Sequence, residues 1–248
     1  MKLKNKTALI TGGSRGIGGA IAKLFAKEGA NISFCHLNDE NNAKNTKDYI
    51  NSLGRKCLAQ NLDISSRENC DLLVSKTLEE IGVPDILVNN AGIIYARPFE
   101  KATEEEFDKI INVLLKSTFF ITQNCYKEML KNKSGKIINI SSQLVFSGGP
   151  NRTDYCAAKG GIFAFTRALA LEAVKYNIHV NNIAPGVAQT DLLNGIDQKV
   201  LDDAKEIIPM NRFADPNEIA PTALLLASDD GSFYCGATLS PNGGEVMV

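Results

Sequence analysis

The feature that most restricts the fold of this chain stands near its start. A short run of β-forming and apolar residues at 7–10 leads directly into Thr11-Gly12-Gly13-Ser14-Arg15-Gly16-Ile17-Gly18, and a helical pattern follows. A glycine-rich turn between strand and helix lets backbone N–H groups approach a pyrophosphate, and the helix N-terminus adds about half a positive charge. In such a turn Gly12 permits the tight reversal, Gly16 the close approach and Gly18 the helix–strand contact. A glycine cluster alone also makes a plain turn. Its place in the first strand–turn–helix unit is what gives it weight.

The same alternation continues along the chain. Strands are expected at 7–10, 31–34, 56–60, 86–88, 136–140, 179–183 and 238–240. Helical patterns lie near 17–28, 41–53, 66–81, 103–130, 155–175 and 216–228. Strand–helix alternation implies right-handed crossovers and a parallel sheet covered on both faces. Short apolar strands fit burial on both sides. The expected fold is α/β: a single-domain, Rossmann-like, doubly wound parallel sheet of about seven strands with helices on both faces. No Pro/Ser-rich linker divides residues 1–248, so one domain is expected. The segment 187–215 breaks the rhythm after Ala184-Pro185-Gly186 and reads as a loop that covers a substrate.

Composition narrows the class. With 44% apolar residues in 248, the chain can build a full core without staples. A net charge of −1 argues against a nucleic-acid arm or a polybasic membrane patch. The six cysteines follow neither a disulfide framework nor a zinc pattern, which suits free thiols in a reducing cytosol. No apolar stretch follows the basic N-terminus, and no run approaches the ~18 residues of a membrane span. A cytoplasmic globule is expected.

Two helical segments are too apolar for one-sided packing. In 160–174 only Thr166, Arg167 and Glu172 are polar, and 107–130 carries Phe107, Ile110, Ile111, Val113, Leu114, Leu115, Phe119, Phe120 and Ile121. A helix apolar nearly all round is buried nearly all round. The helices 103–130 and 155–175 are therefore expected to meet a second subunit, in a homodimer or homotetramer. Burial under the chain's own loops is the alternative.

Four further motifs follow in order: Asn89-Asn90-Ala91-Gly92 after the fourth strand, Ser142, Tyr155-x-x-x-Lys159, and Pro185-Gly186 followed by Thr190. With the Gly-x-x-x-Gly-x-Gly spacing of the turn, the chain resembles the classical short-chain dehydrogenases/reductases over essentially its whole length. The overall pattern is most similar to 3-oxoacyl-(acyl carrier protein) reductases. The resemblance implies a nicotinamide dinucleotide held by Gly12, Ser14, Arg15, Gly16, Ile17 and Gly18. It also implies contacts from His36, from Asp63 and Ile64 at the adenine edge, and from Asn90, Ala91 and Gly92. Tyr155, Lys159, Pro185, Gly186, Ala188 and Thr190 complete the implied set. Asn90 also reads as a turn-stabilising amide.

Tyr155 and Lys159, four apart, share one helix face. A phenol titrates near ~10, too high for easy proton exchange at neutral pH, and a neighbouring ammonium favours the phenolate. Lowering it by about 2–3 would correspond to roughly 3–4 kcal/mol and bring it toward the range useful for acid–base work. Tyr-x-x-x-Lys alone is a common surface pair; here it follows a phosphate cradle. Ser142 lies just past the strand 136–140, and parallel sheets place their sites at such strand ends. The resemblance selects it over Ser141 and implies that it steadies the carbonyl oxygen while Tyr155 delivers the proton and Lys159 tunes Tyr155 and holds ribose hydroxyls. No metal is implied, since His36 and His179 lack ligand spacing.

One departure stands out. The family carries an Asn in the long helix before the serine strand, supporting a water in the relay to Lys159. Here that position is Leu114. Asn112 is two residues earlier, about 200° round an ideal helix, and cannot replace it without a helix distortion or a register change. A slowed proton supply is expected, or a nucleotide-binding relative with impaired catalysis.

For the cofactor, the family's acidic position on the second strand falls on His36, while Arg15 can grip a phosphate bidentately. NADP(H) is therefore expected over NAD(H), the alternative being that Arg15 is solvated and Asp39 folds back to the ribose. Leu192, Leu193, Ile196 and Ile207, with Tyr95, Gln143, Leu144 and Phe146, suggest a mostly apolar carbonyl or alcohol substrate, such as an acyl thioester. Arg97-Pro98-Phe99-Glu100 also resembles sugar and polyol dehydrogenases of the family, and hydroxysteroid dehydrogenases remain a further alternative.

Overall fold

The computed structural model describes residues 1–247. Seven strands form one parallel sheet: β1 (Thr7–Thr11), β2 (Asn31–His36), β3 (Cys57–Asn61), β4 (Ile86–Asn89), β5 (Gly135–Ile140), β6 (Ile178–Ile183) and β7 (Thr238–Leu239). Their spatial order is β3-β2-β1-β4-β5-β6-β7. The expected doubly wound α/β fold is present. The order reverses between β1 and β4, and the crevice beyond the strand ends there is where open α/β sheets bind ligands.

Helices cover both faces. On one, α1 (Gly16–Lys27), α2 (Glu40–Ser52) and α9 (Pro216–Ala227) pack Ile21, Phe25, Ile50, Ile219 and Leu226 against Ile10, Ile32 and Phe34. On the other, α3 (Arg67–Glu80), α5 (Ser117–Asn132) and α7 (Thr153–Ala173) bury Leu73, Ile121, Met129 and Ala170 against Leu9, Leu87 and Ile137. Local chemistry sets the helix starts: Ser66 caps α3 by accepting from the Asn69 N–H. Asp215 and Glu218 form a reciprocal capping box ahead of α9, with Pro216 in its first turn.

Buried amides cross the middle of the sheet. Asn89 Nδ2 donates to Asn139 Oδ1 and to Thr122 Oγ1, and Asn139 Nδ2 donates to Thr166 Oγ1, each at 2.8 Å. Asn182 Nδ2 donates to Ser141 Oγ at 2.7 Å. These groups tie β4 and β5 to the helices beneath them and β6 to the end of β5.

The expected helix 103–130 is not continuous. α4 (Glu104–Ile110), capped by Thr103, passes into a π-helical turn at Ile111–Lys116 before α5 begins. The N–H of Ser117 reaches back five residues to the Asn112 carbonyl. Beyond β6, Val187 and Gln189 bond with Ala214, pinning both ends of the excursion together. Within it lie a single 3-10 turn at Asp191–Leu193 and α8 (Gln198–Ile207).

Candidate active site

The glycine turn has the backbone its sequence demands. Gly12 and Gly16 take φ of +66° and +57°, a left-handed conformation that disfavours side chains. A Cβ on Gly18 would lie 2.2 Å from the Gly12 carbonyl oxygen, so α1 can dock on the turn only through glycine there. Ser14 and Ile17 lie at the same turn; Ser14 is buried, and Ile17 packs into the core below. The N-terminus of α1 has no side-chain cap and no acid in its first turn. Its N–H groups and positive dipole end thus fit a dinucleotide pyrophosphate.

The surrounding residues fall into two groups. Thr190 packs over the turn, its Cγ2 3.2 Å from where a Gly16 Cβ would be. Asp63 faces Ser65 and Lys109, whose Nζ lies 2.8 Å from its carboxylate. Burial pushes that carboxyl up, but the Lys109 and Ser65 hydrogen bonds outweigh it and hold the group at about 2. Ile64 is buried in the second core. Asn90, by contrast, turns inward: its Nδ2 donates to the carbonyls of Thr11 and Gly12 at 3.0 and 3.1 Å. It has the turn-stabilising role. The N–H groups of Asn90 and Ala91 bond Thr11 Oγ1, and Gly92 sits against Leu114. Pro185 accepts from the Gln143 N–H, Gly186 donates to Pro241, and Ala188 is in the bridge to Ala214. His36 ends β2 with its Nδ1 accepting from the Asp39 N–H at 3.3 Å, so it shapes the β2–α2 turn.

The reacting groups assemble at the end of β5, ahead of the one-turn helix α6 (Leu144–Ser147). Ser141 is engaged by Asn182 and Ile183, while Ser142 one residue on accepts a 3.2 Å bond from the Leu144 N–H. Lys159 is buried, with Nζ donating to the Ile140 carbonyl at 2.6 Å and lying 5.7 Å from the Tyr155 ring centroid. Burial pushes the Tyr155 phenol up to about 12, with the Ser142 hydroxyl pulling the other way. Burial brings the Lys159 amine down to about 8. The phenol thus lies above its ordinary value. Burial is the largest influence on both groups, with Lys159 buried and Tyr155 partly so, and the ammonium is turned to a backbone carbonyl. A protonated phenol beside a hydroxyl is a proton donor suited to a substrate oxygen.

Leu114 is buried among Ile110, Ala158 and Ile162, against Tyr155 and Tyr95. The helix is distorted at Asn112, yet no hydrogen bond reaches the Asn112 side chain among the described residues, and Leu114 keeps its place beside the phenol.

Spacing gave no sign of the partner that Arg97 meets, Asp154. Arg97 ties the loop after β4 to the start of α7, pairing with Asp154 and Glu106 at 2.8 Å each. Gln143, beside Ser142, is buried, and its Oε1 has no hydrogen-bond partner among the described residues. Only the chain's return through space brings Arg97 and Asp154 together, so local pattern could not reveal them.

A cradle for a dinucleotide at the switch point, with a hydroxyl, a phenol and an amine beyond the same strand ends, defines a nicotinamide-dependent oxidoreductase. The chain belongs to the short-chain dehydrogenase/reductase family: a family model described as enoyl-(acyl carrier protein) reductase matches residues 12–245. It is 40% identical to a 3-oxoacyl-[acyl-carrier-protein] reductase of Chlamydia muridarum, over 98% of each chain. Among solved structures, a candidate short-chain alcohol dehydrogenase from Sinorhizobium meliloti 1021 superposes with TM-score 0.94 at 34% identity, covering 98% of this chain and 97% of that one. A blue fluorescent protein from a metagenomic library, in complex with NADPH, gives TM-score 0.93 at 30% identity over 100% of both.

Proposed function

We propose that this chain is a single catalytic domain that reduces 3-oxoacyl thioesters to secondary alcohols, with NADP(H) favoured over NAD(H). The observation that carries the reading is the meeting of Ser142, Tyr155 and Lys159 beyond β5, in a chain 40% identical to a 3-oxoacyl-[acyl-carrier-protein] reductase. When bound, the nicotinamide supplies the hydride. Ser142 Oγ donates to the carbonyl oxygen and fixes its direction. Tyr155 Oη gives that oxygen its proton, which the phenol, pushed up to about 12, holds in the neutral range. Lys159 Nζ orients the phenol's surroundings and holds ribose hydroxyls in place of the Ile140 carbonyl. The cofactor contacts are those of the glycine turn, with Asp63 and Ile64 at the adenine and Pro185, Gly186, Ala188 and Thr190 at the carboxamide. Asn90 acts on the cofactor through the turn it braces.

Segment 187–215 covers the substrate. The six cysteines form no disulfide, and no helix among the described residues is long and apolar enough to cross a membrane, which supports action in the cytoplasm. A homo-oligomer through the helices around 103–130 and 155–175 is supported by the exposure of Phe107, Phe119, Leu171 and Val174.

The buried Gln143 Oε1, without a partner among the described residues, favours a second reading, a polyol-type substrate with a hydroxyl near the reacting carbon. NADPH consumption at 340 nm with an acetoacetyl thioester, a keto-sugar and a hydroxysteroid ketone separates these readings. Preference for the thioester is expected, whereas cofactor binding without any turnover would identify a catalytically impaired relative.

A further inference from the structure

At the end of the sheet away from the reacting groups lies a cleft of about 250 Å³, bounded by the starts of β4, β5 and β6 and by the turn after α9. Two groups that can carry positive charge line it side by side: Lys136 on β5 is paired in register with His179 on β6. A third cation, Lys6, stands just before β1. Like charges opposite one another across strands disfavour each other. The carboxylates at hand do not resolve the conflict. Asp85 is held by Lys6, whose Nζ lies 3.1 Å from its Oδ1, and by the Thr7 N–H at 2.9 Å. Asp229 is exposed and acts on Lys136 from beyond ion-pair distance. Lys136 is half-buried and its amine has no ion pair or hydrogen bond among the described residues. His179 is also half-buried, and both its ring nitrogens face oxygens: Nδ1 the Tyr234 carbonyl at 3.3 Å, Nε2 the Asn177 Oδ1 at 3.4 Å. Burial and then Lys136 hold this ring below its ordinary value, against the pull of the Tyr234 carbonyl. The neutral ring has one proton for two acceptors.

We propose that this cleft binds a phosphate or sulfate group, which pairs with Lys136 and enters together with a proton taken up by His179. Such a group is a compact charge with several acceptor oxygens, suited to an ammonium acting as a point charge, to a ring N–H and to the Ser134 hydroxyl at the rim. Once Lys136 is neutralised, its opposition to charge on His179 is lifted, and the imidazolium can donate from both nitrogens. The coupling is reciprocal: the anion binds better where His179 is charged and weakens as pH rises through the titration of that ring. Asp85, already neutralised by Lys6, and the solvent-screened Asp229 oppose the anion weakly. Ser142 lies six residues beyond Lys136, about 20 Å along an extended chain, so the site is separate from the reacting groups.

The test follows the His179 ring protons by NMR against pH in the full chain, in sodium sulfate and in sodium chloride at equal ionic strength. Sulfate keeps both its charges across the neutral range, so the titration observed is that of the protein. His179→Gln identifies the signal, since His36 is the one other histidine in the sequence. Sulfate should raise the His179 midpoint by about half a pH unit or more. Lys136→Met should raise the midpoint in chloride and abolish the response to sulfate, while Lys136→Arg should keep that response. Inorganic phosphate and phenyl phosphate, compared in the same way, tell a free ion from the end of a phosphomonoester, and a response to either supports the site. A wild-type midpoint that sulfate leaves unmoved overturns the proposal without any variant. So does a sulfate response of equal size in Lys136→Met, which would place the anion elsewhere.

Discussion

At the scale of single residues, the site contains groups that weaken the fold in order to be reactive. Lys159 is the clearest. Its amine is held at about 8 in the folded protein against 10.5 in its ordinary state, because burial disfavours the charge. The folded chain therefore binds this proton less tightly than the unfolded one. The resulting destabilisation is complete below about 8 and fades as pH climbs from there toward 10.5. Lys159→Met should raise stability at pH 6 by about 1–2 kcal/mol, or about 2–8 °C in melting temperature, and abolish turnover. Thermal scans across pH should show the gain shrinking above pH 8; a gain independent of pH would contradict this assignment. Tyr155→Phe should lower kcat by about 10²–10⁴ with cofactor affinity nearly intact, read by turnover and by NADPH fluorescence. The identities of both residues were legible from a four-residue spacing. The burial that pushes the phenol up was not, nor was the meeting of Lys159 with the Ile140 carbonyl 19 residues away.

Among the elements, the break between α4 and α5 carries the most consequence. Periodicity gave one long helix there, since five-residue hydrogen bonding leaves almost no mark on an apolar pattern. Strand positions, by contrast, were readable to within a residue or two, because short buried runs bounded by turn residues have few other uses. Leu114→Asn at the π-turn puts a polar amide into an apolar cluster against Tyr155. It should cost about 1–3 kcal/mol of stability and still raise kcat, if the amide restores a water path toward Lys159. Lost stability with unchanged kcat would show that the relay runs elsewhere. The Arg97 bridge makes a separate prediction. Arg97→Met leaves Asp154, whose side chain is 5% exposed, without its cation, and should cost about 3–5 kcal/mol in urea unfolding. Adding Asp154→Asn should recover much of that loss, since the stranded charge is then gone.

Across the whole molecule, one chain cannot hide all its apolar helix surface. Leu171 is 79% exposed on α7 and Phe119 is 44% exposed on α5, where it stacks 5.4 Å from Phe165. Light scattering should give two or four times the monomer mass, and Phe119→Asp should lower that mass; a wild-type monomer would refute the assembly. The buried amides between β4, β5 and β6 have a different reach. A strand that slips by one residue turns every side chain to the opposite face. A slipped β5 would carry Asn139 away from both Asn89 and Thr166 and strand their polar groups in hydrocarbon. Misaligned assembly is thus self-rejecting, and the same proofreading that lines up the strands delivers Ser142, two residues beyond the end of β5, to its one working address.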